Sequence, residues 1–163
     1  MLQKVAFVAA AGLALASGNA FAATDSDTIA VSATITASCT ITANPLAFGS
    51  LTSTATQTDV STTVDVACTN ESPFNVGIDY GLNATGAQRR MLSGANLLSY
   101  DVRTGSFAGI SFSPVANYGN AANYNSSGTT IGTTSVPIYG VIPAGSTPPS
   151  GAYGDTLTVT VNY

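Results

Sequence analysis

The sequence predicts an all-β fold, an immunoglobulin-like antiparallel β-sandwich of about six to seven strands. Apolar residues alternate with Thr, Ser and Asn in several short runs. Clusters of Gly, Pro, Asn and Ser punctuate those runs, and no stretch beyond residue 22 carries a helical period. The clearest run is the last, with Leu157, Val159, Val161 and Tyr163 on one face and Thr156, Thr158, Thr160 and Asn162 on the other. The chain then stops, so the far edge of this strand is either covered or left as a template for another chain.

Residues 1–22 read as a secretory signal peptide: Lys4 supplies the positive start, residues 5–17 an apolar run, and Ala20-Phe21-Ala22 a cleavage site before Ala23. The apolar run is short for a span of about 20 residues, so the mature chain is expected to be exported, without membrane insertion. The roughly 140 residues that follow are enough for one domain with a real core. Their first alternating run is residues 28–42, with Ile29, Val31, Ala33, Ile35, Ala37, Cys39 and Ile41 on one face. Uninterrupted strands of this length are uncommon, and about 13 residues would reach roughly 40 Å. Either the strand bends between sheets at Ala33 or Ala37, or its first half belongs elsewhere.

Further strands are expected at residues 61–68, 74–80, 97–103, 110–115, 136–142 and 156–163, with turns at 81–86, 93–94 and 148–151. Arg89-Arg90 reads as a solvated turn. Residues 105–132 have the weakest pattern and read as a long solvated hairpin or edge connection, although Asn117, Tyr118, Asn123 and Tyr124 suit recognition.

Beyond the signal segment three arginines stand against eight acidic residues, a net charge of −5 with no lysine. Nucleic acid and anionic membranes would release no counterions to such a surface and are not expected partners. Cys39 and Cys68 form an even pair in an exported chain, which predicts a disulfide.

Catalysis finds no support. There is no histidine, and Asp59 and Asp65 would stand roughly 20 Å apart on an extended strand, too far for a glycosidase pair. Asp25-Ser26-Asp27 lacks the glycine and distal glutamate of a calcium loop. No catalytic, cofactor or metal site is expected.

Several segments together resemble a known family: Cys39-Thr40-Ile41, residues 97–104, Val136-Pro137-Ile138-Tyr139-Gly140-Val141-Ile142, and above all residues 151–163. They look like the spore-coat-protein-U domain, which includes major subunits of archaic (Csu-like) chaperone–usher pili. The resemblance implies a sandwich that is incomplete and is completed by a donated strand. Carried onto this sequence, residues 23–36 would be the N-terminal donor-strand extension, with Ile29, Val31, Ala33 and Ile35 as donated side chains. Residues 37–163 would be the incomplete domain, with Leu157, Val159, Val161 and Tyr163 as its acceptor edge and a donor boundary between Ala33 and Ala37. The implied partners are identical or related subunits, a periplasmic chaperone and an outer-membrane usher. The implied role is a cell-surface filament for adhesion and biofilm formation. The rival from another class is a complete secreted binding module that contacts carbohydrate through residues 105–132; the absence of tryptophan weakens it.

Overall fold

The computed structural model describes residues 23–52, 56–114, 120–128 and 131–163. The expected signal segment, together with Val115, Asn117 and Tyr118, lies outside them. The chain divides between Thr34 and Ile35. In the first unit the described residues carry no regular secondary structure, and Ile29 and Val31 are 89% and 90% exposed.

The described residues of the second unit form eight strands: β1 (Cys39–Ala43), β2 (Thr58–Cys68), β3 (Asn75–Ile78), β4 (Arg89–Ser93), β5 (Asn96–Arg103), β6 (Tyr124–Asn125), β7 (Gly132–Ile142) and β8 (Val159–Asn162). They form a five-stranded sheet in the order β1-β2-β7-β5-β4 and a three-stranded sheet in the order β6-β3-β8. All pairings are antiparallel. The sequence dictates the inward faces by its period of two. Val64 and Val66 of β2, Leu98, Tyr100 and Val102 of β5, and Val136 and Ile138 of β7 are buried, as are Val76 and Ile78 of β3. Phe74 and Phe112 complete this core.

Pro137 lies within the central strand β7, where a missing N–H would normally break a ladder. Thr63 gives its carbonyl to Asn44 on the β1 side, so the facing pair Thr63–Pro137 exchanges no bonds. On its other side β7 pairs with β5 only from Tyr139 onward. Proline therefore costs the sheet no hydrogen bond.

Cys39 and Cys68 face each other across β1 and β2 and are joined, with Cα atoms 4.1 Å apart. That spacing belongs to a non-hydrogen-bonded pair, where side chains stand closest. Replacing both by Ser is expected to cost about 3–4 kcal/mol through the freed loop, a fall in Tm on the order of 10 °C. A thermal melt of the double variant checks this, and an unchanged Tm refutes it.

Four expectations change. The first run forms a strand only from Cys39, so residues 28–38 do not extend β1. Residues 110–114 make no strand; Ser111 forms a single bridge to Arg103, while Phe112 is fully buried. Residues 105–132 are not simply solvated, because Tyr124 and Asn125 pair with β3 and Asn123 is buried. Finally, Arg89 is no solvated turn residue: it opens β4 and is 1% exposed.

Arg89 ties the two sheets together. Its Nη2 donates to the carbonyls of Ile78 (2.8 Å) and Phe112 (2.9 Å), and its Nε to that of Asp79 (2.8 Å). Asp101 lies 3.5 Å from Nη1, and the guanidinium sits 5.1 Å from the Tyr80 ring centroid. Burial lowers its pKa and Asp101 pulls it back up; an arginine so placed keeps its charge. Asp101 also accepts from Arg103 Nε at 2.9 Å, from the Val102 N–H and from the Ser111 hydroxyl.

Candidate strand-acceptor groove

The edges of the sandwich define the site. β1 ends the five-stranded sheet and β8 ends the three-stranded one. Asn44 N–H bonds to Thr63 O and Thr69 N–H to Ser38 O, so the even residues of β1 face β2. Cys39, Ile41 and Ala43 therefore turn their backbone groups away from the sheet. On β8 the bond from Asp79 N–H to Thr158 O likewise assigns the even residues to β3. Val159 and Val161 are left with their backbone N–H and C=O directed to the open side. On both edges the residues with open backbone groups include those whose side chains pack on the core: Cys39, Ile41, Val159 and Val161.

Between the edges lies a groove of about 400 Å³. Its floor is core: Val64, Ile78, Tyr100, Val102 and Ile138. One wall is Ala43, Pro45, Leu46 and Phe48, the other Tyr153, Asp155, Leu157 and Val159. It shares Leu46, Phe48, Met91 and Tyr153 with a wider cleft of about 1250 Å³ that continues past Leu51 and Pro148. Gly140 of β7 sets the position of the first wall. A Cβ there would lie 2.8 Å from Leu46 Cδ2 and 3.0 Å from Phe48 Cζ, so a larger residue would have to displace both side chains. Phe48 then packs edge-on against Tyr100 at 6.2 Å.

The opposite wall is pinned by two carboxylates. Asp79 Oδ1 accepts from the N–H of Thr158 (2.8 Å) and of Gly81 (3.0 Å). Asp155 Oδ1 accepts from the N–H of Leu82 (3.1 Å), the N–H of Asn83 (3.3 Å) and Asn83 Nδ2 (3.0 Å), while Oδ2 accepts from the Tyr100 hydroxyl at 2.8 Å. Gly81 has φ +84°, and a Cβ on it would come within 2.1 Å of Asp155 Oδ2, so both its conformation and its closeness to the carboxylate demand glycine. Burial raises the Tyr100 pKa and the bond to Asp155 raises it further, so the hydroxyl stays a donor throughout the neutral range.

Of the residues proposed from sequence, Leu157, Val159 and Val161 lie half-buried along one edge, and Tyr163, just beyond β8, is 54% exposed. Ile29, Val31 and Ala33 belong to the first unit; Ile35, in the second, is 84% exposed. Tyr124 packs against Phe74, with ring centroids 6.2 Å apart, rather than presenting itself for recognition. Sequence reasoning passed over Asp79, Asp155 and Gly140. One signal was present: Tyr153, Asp155, Leu157 and Val159 share a parity, and a carboxylate on an otherwise apolar face calls for a partner. Among the described residues no group of three or more His, Cys, Asp or Glu side chains gathers to hold a metal.

No curated protein matches the chain. Among solved structures it is similar to a chain of the CsuC–CsuE chaperone–tip adhesion subunit pre-assembly complex, from the archaic chaperone-usher Csu pili of Acinetobacter baumannii. The TM-score is 0.58 at 23% identity, over 80% of this chain and 40% of that one. This chain thus spans well under half the length of its structural neighbour, and at this identity the likeness is one of fold. The model of the Spore Coat Protein U domain matches residues 25–160, nearly everything beyond the expected signal segment, and the chain belongs to that family.

Proposed function

We propose that this protein is a structural subunit of a chaperone–usher filament, polymerised by donor-strand complementation. The observation that carries the reading is the groove itself: two open strand edges flank a floor of core side chains, and no described strand lies between them. The occupant is the N-terminal segment of another copy. Ile29, Val31, Ala33 and Ile35 repeat with a period of two, and the three larger ones are almost fully exposed. Laid between β1 and β8, such a strand turns its apolar side chains onto the floor and its backbone to the open edges. Leu157, Val159, Val161 and Tyr163 form the acceptor side.

Strand addition of this kind is the mode of capture seen in chaperone–pilin complexes. Donor and groove are different surfaces, so the contact is heterologous and grows an open filament. Residues 1–22 direct export, a periplasmic chaperone occupies the groove until assembly, an outer-membrane usher passes the subunit on, and the filament at the cell surface serves adhesion and biofilm formation. The family and fold agree with a role in structure rather than catalysis.

A synthetic peptide of residues 24–37 tests the reading. Added to the full chain carrying Val31→Asp, whose own extension is disabled, it is expected to raise Tm by more than 10 °C, since binding stabilises by mass action. A scrambled peptide should do nothing. An unchanged Tm with the native peptide would mean that the sandwich needs no further strand.

A further inference from the structure

The wall of the groove that receives the strand is not a free-standing edge. Gly154 is bonded in both directions to Leu92 of β4, at 2.9 and 3.1 Å, whereas Thr158 is bonded to Asp79 at the end of β3. Between them the chain passes from one sheet to the other along the groove. Residues 155–157 belong to no described strand; besides the packing of Leu157 on the core, their hold is the Asp155 carboxylate, which ties the crossing to the 81–83 loop and, through Tyr100, to the groove floor. Tyr100 is 3% exposed and comes from the middle of β5, a strand anchored on both sides.

We infer that Tyr100 and Asp155 are positioning residues, which hold the approach to β8 against the groove wall so that an incoming strand meets an edge already formed. The inference rests on the strand-donation reading above. Its physical basis is the cost of ordering: fixing backbone residues opposes capture, and association is faster when only the donor must be ordered. Without the Tyr100 bond the crossing keeps its tie to Leu82 and Asn83 but loses its tie to the groove floor, and its position over the floor would have to be fixed during capture as well.

The experiment uses the full chain with Val31→Asp and a fluorescent peptide of residues 24–37, followed by anisotropy. Tyr100→Phe keeps the ring that fills the floor and removes only the hydroxyl. Its association rate is expected to fall about tenfold, the equivalent of one charge-assisted hydrogen bond, while the dissociation rate of the bound peptide stays within about twofold. A merely structural role would instead lower the urea midpoint and quicken dissociation. Asp155→Asn, which retains an oxygen for the loop N–H groups, is expected to slow association less than Asp155→Ala. If the parent binds and Tyr100→Phe binds just as fast, the positioning role is wrong and strand donation stands. If the parent does not bind at all, both readings fall.

Discussion

Val31→Asp is expected to abolish filaments while leaving the amount and the melting temperature of the monomer unchanged. Val31 is 90% exposed in the isolated chain, so the subunit itself loses nothing by the change. In the proposed assembly the same side chain lies on an apolar floor. The substitution forfeits about 1.5–3 kcal/mol of burial and adds several kcal/mol for a carboxylate stranded without a cation. A joint weakened by 4 kcal/mol loses about three decades of affinity, and a filament multiplies that loss over every joint. Electron microscopy of cells expressing the variant, beside immunoblots of the periplasm, reads both halves. Val159→Asp should fail likewise, with some loss of monomer stability because Val159 already packs on the core. Normal filaments from both variants would sink the donation reading.

Arg89→Ala is expected to be the most destabilising single change in the domain, by about 3–5 kcal/mol. The guanidinium satisfies the carbonyls of Ile78, Asp79 and Phe112. Those groups come from two segments, the end of β3 and the stretch around Phe112, neither of which has a described backbone bond to β4. Removing the side chain leaves buried acceptors without donors, each costing about 1–3 kcal/mol, and a cavity that alanine cannot fill. The neighbouring residue is the control. Arg90 is half-buried and gives one long bond, 3.3 Å from Nε to Asn83 O, so Arg90→Ala should cost less than about 1 kcal/mol. Urea unfolding of the two variants separates them; a loss under 1 kcal/mol for Arg89→Ala would show that its bonds are readily replaced by water.

These two arginines show where the sequence was legible and where it was not. Side by side in a polar stretch, they look alike to any reading of hydropathy, and a solvated turn is the natural expectation for both. Only the packing of β4 against the end of β3 turns one inward. The same limit applies to Asp155 and Gly140. Their roles depend on Tyr100, Gly81, Leu46 and Phe48, which lie about 50 to 90 residues away along the chain.

Much was nevertheless determined locally. A period of two is a property of neighbouring residues, so the inward faces of β2, β3, β5, β7 and β8 follow from composition along each strand. The disulfide follows from a cysteine count in a chain expected to be exported, and the family from the motifs at residues 136–142 and 151–163. What alternation could not supply was an ending. Residues 28–42 keep one unbroken pattern, yet the strand begins only at Cys39 and its hydrogen bonding to the β2 side reaches back no further than Ser38, because a ladder needs a partner strand and β2 ends at Cys68. The same apolar pattern thus serves two purposes, core strand from Cys39 onward and exposed segment before it. Which of the two a residue serves was decided by where the neighbouring backbone stops, a fact of the tertiary structure alone.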